Sequence, residues 1–78
     1  MLAVAMPDLQ QELRPLAQAD RHLADGAGHV AEQIALIEWM TKKGQDTTEA
    51  EKLLRNFKQI LEQFRVHRRL ILDAITRS

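Results

Sequence analysis

Lys42-Lys43-Gly44-Gln45-Asp46-Thr47-Thr48-Glu49 is the stretch whose reading decides the fold, because it carries a helix stop followed at once by a helix start. Two lysines suit the negative end of a preceding helix, and Gly44 can take the left-handed conformation just past its last turn. Asp46 or Thr48 can cap the next helix, each with a glutamate three residues on, Glu49 or Glu51. A link this short forces the two flanking helices to run antiparallel.

Outward from the link, both flanks have helical period. From Leu2 an apolar residue recurs every seventh position as Leu9, Leu16, Leu23, Val30 and Ile37. If these positions are labelled a, the e row reads Met6, Leu13, Asp20, Ala27, Ile34 and Thr41, a second apolar row with one charged interruption. After the link, the a row is Ala50, Phe57, Phe64 and Ile71, the d row Leu53, Ile60, His67 and Ala74, and the e row Leu54, Leu61, Arg68 and Ile75. Pro15 lacks a helical donor and crowds the preceding turn, so the first long helix is expected to start there. The expected organisation is an N-terminal arm or short helix over residues 1–14 and a hairpin over residues 15–78. In that hairpin, helix 15–43 and helix 47–77 flank a turn at 44–46, each helix roughly 43 to 47 Å long.

A turn centred between Gln45 and Asp46 pairs Ile37 with Leu54, Ile34 with Phe57, Val30 with Leu61, Ala27 with Phe64 and Leu16 with Ile75. The expected seam therefore comprises Leu16, Leu23, Val30, Ile34 and Ile37 on the first helix. On the second it comprises Leu53, Leu54, Phe57, Ile60, Leu61, Phe64, His67, Ile71 and Ile75. Gly26 and Gly28 flank Ala27 opposite the Phe64 ring, where a small-residue notch would explain two glycines that cost about 1 kcal/mol each in a helix. His67 falls in this seam, and Arg68 beside it can occupy Asp20 on the facing helix.

Seventy-eight residues make one small domain whose core only just offsets chain entropy. With no cysteine to supply disulfides, association is the remaining source of stability, and the lack of cysteine suits a reducing cytoplasm. A lone hairpin cannot cover three apolar rows per helix, and Leu36, Trp39, Leu70 and Leu72 lie at or beyond the stripe edges. The fold class is thus all-α: an antiparallel two-helix hairpin, paired into a four-helix bundle or similar coiled-coil homo-oligomer, a dimer or higher.

The stretch Ala19-Asp20-Arg21-His22-Leu23-Ala24, the segment Ala31-Glu32-Gln33-Ile34-Ala35-Leu36-Ile37-Glu38, and the link Gly44-Gln45-Asp46-Thr47 with Ala50-Glu51-Lys52-Leu53-Leu54 resemble a known set of sequences. So does the ending His67-Arg68-Arg69-Leu70-Ile71-Leu72. These are small uncharacterised helical-hairpin proteins of unknown function found in alpha-proteobacteria. The likeness spans about residues 18 to 75, with Gly-x-Asp-Thr followed by Ala-Glu-x-Leu-Leu its most specific element. It implies a bacterial helical hairpin and no chemistry, and the chain departs from it at Gly26-Ala27-Gly28, where polar helix formers are expected.

Chemistry is sparse. Eleven basic side chains balance eleven acidic ones, but residues 51–78 carry +4 and residues 1–50 carry −4. His22, Asp25 and His29 share a helix face at metal-ligand spacing, with Glu32 a turn further, yet no second cluster completes a four-ligand site. There is no cysteine, no phosphate loop, and a single serine, Ser78, so no catalytic residue, cofactor or metal is assigned and an enzyme is not expected. Lys52, Arg55, Lys58, Arg65 and Arg69 on outward positions of the second helix could form a nucleic-acid face. Glu51, Glu62 and Asp73 dilute it, so a solvated face is favoured. The apolar residues 1–6 are too short to span a bilayer, and no membrane role is expected. The functional expectation is a self-associating interaction or scaffold protein with an unidentified protein partner, and a small nucleic-acid-binding regulator is the alternative.

Overall fold

A computed structural model describes residues 9–77, with side-chain environments from residue 13 onward. Most of the expected N-terminal arm, residues 1–8, lies outside the described residues. Two helices, α1 (Leu9–Lys42) and α2 (Thr48–Arg77), pack against each other as an antiparallel hairpin, and no strand occurs among the described residues. α1 runs through Pro15 and does not start there. The ring removes only one donor, and a helix of 34 residues has enough bonds on either side to carry that local loss.

The link closes as its residues dictate. Gly44 has φ 72°, which an L side chain disfavours and glycine adopts freely. Its N–H donates to the Thr41 carbonyl at 3.0 Å, and the Gln45 N–H donates to the Met40 carbonyl at 2.9 Å, the bond pair of a Schellman stop. On the far side Thr47 is the N-cap residue: its carbonyl accepts the first helical bond, from the Glu51 N–H at 2.8 Å, while its hydroxyl bonds the Glu51 carboxylate at 3.0 Å. Neither expected cap holds that position: Thr48 is the first helical residue, and Asp46 stands one residue before Thr47 and accepts from the Thr48 N–H at 2.9 Å and the Thr48 hydroxyl at 2.6 Å. These bonds to the ionised form hold the Asp46 carboxyl below its ordinary value of 3.8, the hydroxyl contributing most.

The seam follows intervals of three and four without a break. On α1 it is Leu16, Ala19, Leu23, Gly26, Val30, Gln33, Ile37 and Met40; facing it are Thr47 at the end of the link and, on α2, Ala50, Leu54, Phe57, Leu61, Phe64, Arg68, Ile71 and Ile75. Apart from Leu72, every described side chain that is not exposed falls on one of these rows. Small residues let the helices approach. A Cβ built on Gly26 would lie 3.1 Å from Leu61 Cδ1 and 3.5 Å from Phe64 Cδ2, so Gly26 is the notch. Gly28 meets nothing within 4 Å and Ala27 is exposed, which corrects the expectation that both glycines flank the facing ring.

Four expected seam residues lie outside this strip: Ile34, Leu53, Ile60 and His67 are exposed in the hairpin. The physical reason is angular, because one facing helix covers only two adjacent rows of its partner. On α2 those rows are a and e, and the d row carrying Leu53, Ile60 and His67 turns away. The register also differs from expectation: Phe57 lies against His29, and Leu61 against Gly26, so the partners on α1 fall about one turn earlier. Residues 45–47 are not helical, and a non-helical residue can span up to about 3.3 Å against 1.5 Å in a helix, which lets the link carry α2 further along α1.

Two polar side-chain bonds between described residues cross the seam. The Gln33 amide, 7% exposed, donates to the Ala50 carbonyl at 2.8 Å, and Arg68 Nε donates to the Asp20 carboxylate as the sequence expects. The charged interruption in the stripe is thus one half of a cross-helix ion pair, both partners of which stay partly exposed.

The two mid-helix glycines should respond oppositely to substitution. Gly28→Ala should raise stability by roughly 0.5 to 1 kcal/mol, whereas Gly26→Leu should cost about 1 to 3 kcal/mol by overpacking the notch; urea unfolding of both variants checks this. The Asp46 bonds to Thr48 yield a pH signature. A lowered pKa means the stabilisation is complete above the ordinary value and is lost as pH falls through the lowered one. Wild type should therefore exceed Asp46→Ala in stability at neutral pH, with the gap closing only in strong acid below that ordinary value.

Candidate interaction face

The rows beside the seam make the two broad faces of the hairpin unlike. On one, the g and c rows of α1 present His22, Asp25, His29, Glu32, Leu36 and Trp39, again at intervals of three and four. The d and g rows of α2 continue that face with Leu53, Asn56, Ile60, Gln63, His67 and Leu70. All three histidines of the chain are here, and between Gln18 and Ala74 these rows contain one cation, Lys43, whose Nζ sits 5.9 Å from the Trp39 ring centroid.

At the centre of this face the imidazoles lie along the phenyl rings that project from the seam. His22 is 5.3 Å from Phe64 and His29 5.8 Å from Phe57, centroid to centroid, both with planes tilted by 32°. The seven-residue spacing within each pair makes the two stacks equivalent, one two turns above the other. Between them runs a groove of about 290 Å³ lined by His22, Asp25, Gly26, His29, Phe57, Ile60 and Phe64. A second hollow of about 470 Å³ follows α2 outward along Gln59, Glu62, Gln63, Val66, His67 and Leu70.

Among the described residues, five of the eight large exposed hydrophobic side chains lie here, while Leu13, Ile34 and Val66 lie on other rows. Leu36, Trp39, Leu53, Ile60 and Leu70 are 44%, 52%, 42%, 43% and 61% exposed, whereas Ala19 and Leu61 are the only apolar side chains described as buried. His22, Asp25 and His29 share the groove, yet no group of three or more such side chains among the described residues is placed to hold a metal ion. The imidazoles are engaged with phenyl rings.

Lys52, Arg55, Lys58, Arg65 and Arg69 fall on the b, c and f rows of α2, away from the histidine face, and all are exposed. Lys52 pairs with Glu49 and Arg65 with Glu62, each at 3.3 Å, so two of the five cations are engaged within their own helix. Neither Phe57 nor Phe64 stacks beside them. Ala19, Gln33 and Met40 on α1 and Arg68 on α2 are seam residues absent from the expected strip; unbroken three-four spacing from Leu16 on α1 and from Ala50 on α2 is the signal that finds them.

No protein-family model matches the chain, and no match was found among curated proteins or solved structures. Among the described residues no helix is long and apolar enough to cross a membrane.

The different burial of neighbouring aromatic and aliphatic residues is measurable. Half-buried Phe64 fills the Gly26 notch, so Phe64→Ala should cost about 2 to 3 kcal/mol, whereas Ile60→Ala should cost less than about 1 kcal/mol in the lone hairpin. Denaturant unfolding at nanomolar concentration compares the two without association.

Proposed function

We propose that the chain is a non-enzymatic interaction or scaffold protein that works by self-association of its hairpins into a four-helix bundle. One observation carries the reading: Leu36, Trp39, Leu53, Ile60 and Leu70 stay more than 40% exposed on a single face while the seam buries almost nothing completely. Two helices of this length with so little enclosed apolar surface are short of the stability of an independent domain. Contiguous exposed apolar surface rimmed by polar side chains is the mark of a docking site, and a second hairpin supplies a face of the same length and character.

The charge pattern fits this division of labour. Lys52, Arg55, Lys58, Arg65 and Arg69, with the Glu62 partner of Arg65, occupy rows away from the histidine face, which keeps an assembled bundle solvated. Light scattering coupled to size exclusion should give a mass of at least two chains at micromolar concentration, and thermal unfolding should shift upward with concentration. A monomer with a concentration-independent transition overturns the proposal.

A further inference from the structure

We infer that two copies pair through the histidine face about a two-fold axis lying across the helices at the level of Ala27 and Ile60, a geometry that rests on the self-association proposed above. In it α1 packs antiparallel on α1 of the second copy, and α2 on its α2.

The α1 charge pattern is the evidence. His22, Asp25, His29 and Glu32 stand at intervals of three, four and three, so the set is symmetric about residue 27. Reversing the helix about that point exchanges every histidine with an acid. His22 meets Glu32 of the second copy and Asp25 meets its His29, and the two-fold repeats both pairs. A self-complementary pattern is what an isologous interface requires.

The second helix agrees in level. Ile60 lines the same groove as Asp25 and His29, so it lies at the height of the α1 symmetry point. Reversal about Ile60 sets that side chain against its own counterpart and Leu53 against His67 of the second copy. The other two-fold arrangement, with its axis along the helices, lays α1 on α2 of the second copy. There Asp25 and Glu32 would be covered by the Leu53 and Ile60 row, which offers no cation, and burying unpaired carboxylates is costly.

The size suffices. About 28 overlapping residues at 1.5 Å each, on two helices roughly 10 Å wide, give a face on the order of 800 Å², about the area each partner contributes to a stable interface.

The absence of cysteine makes the test clean, since Ile60→Cys introduces one thiol per chain. With oxidised glutathione it should form a covalent dimer, because its counterpart lies across the axis within disulfide reach. Leu53→Cys should not, since its counterpart is displaced by about 21 Å along the helix. In a dilution series, His22→Glu should weaken the dimer roughly tenfold by setting like charges together, and adding Glu32→His should restore it. Far-ultraviolet circular dichroism of each variant verifies that the helices are intact. A wild type that stays monomeric overturns self-association and this geometry together. A wild-type dimer in which Leu53→Cys cross-links as readily as Ile60→Cys, or in which the charge reversal has no effect, overturns the geometry alone.

Discussion

Two helices lying side by side can cover only one strip of each other, and most of what distinguishes this molecule follows from that restriction. The strip on α1 holds three residues small or polar enough to look unpromising, Ala19, Gly26 and Gln33, among its larger aliphatics. Their role is to bring the axes close, so that Leu61 and Phe64 can reach across and contact α1. Once the two rows facing each other are used, every further apolar row must look outward. The exposed leucines, Ile60 and Trp39 are therefore a direct outcome of hairpin geometry, and a surface available for assembly.

The link determines which rows those are. A left-handed Gly44 ends α1 with two bonded amides, and Asp46 with Thr47 begins α2 with two more, so neither helix end is free to slide by a residue. The non-helical residues between them fix how far α2 travels before its first turn. The Gln33 amide then meets the Ala50 carbonyl, where a shift by one turn would leave a buried donor without its acceptor. Burial of Gln33 in the otherwise apolar α1 strip thus selects a register more sharply than interchangeable aliphatic contacts could.

Much of this was legible before any coordinates. The helix stop at Gly44 and the helical period on both sides follow from local residue types, and the Arg68 to Asp20 bond follows from opposite charges that the closed hairpin brings onto facing helices. The choice of seam on α2 was not, because Leu53 and Ile60 are as apolar as Leu54 and Leu61, and hydrophobicity alone cannot rank rows separated by about 100° of helix. Arg68 made the true row look interrupted, although its charge reaches past the seam to Asp20 at the edge. The sequence places Phe57 and Phe64 in the seam, where they lie, but their contacts with His22 and His29 depend on a register that the non-helical link shifts. The histidine face is legible as a spacing on α1, whereas the place of Ile60 in the same groove depends on the packing of α2.

The cross-helix bonds also impose an order on how the hairpin closes. Gln33 and Ala50 are separated by 17 residues along the chain, Asp20 and Arg68 by 48. Closing the shorter loop loses less chain entropy, and once it is closed each successive seam contact adds only a small further loop. The molecule can therefore zip from its link toward its free ends, and it frays in the opposite direction. Amide protons near Gln33 and Ala50 belong to the part that opens last, while the ends of α1 and α2 exchange their contacts with solvent first.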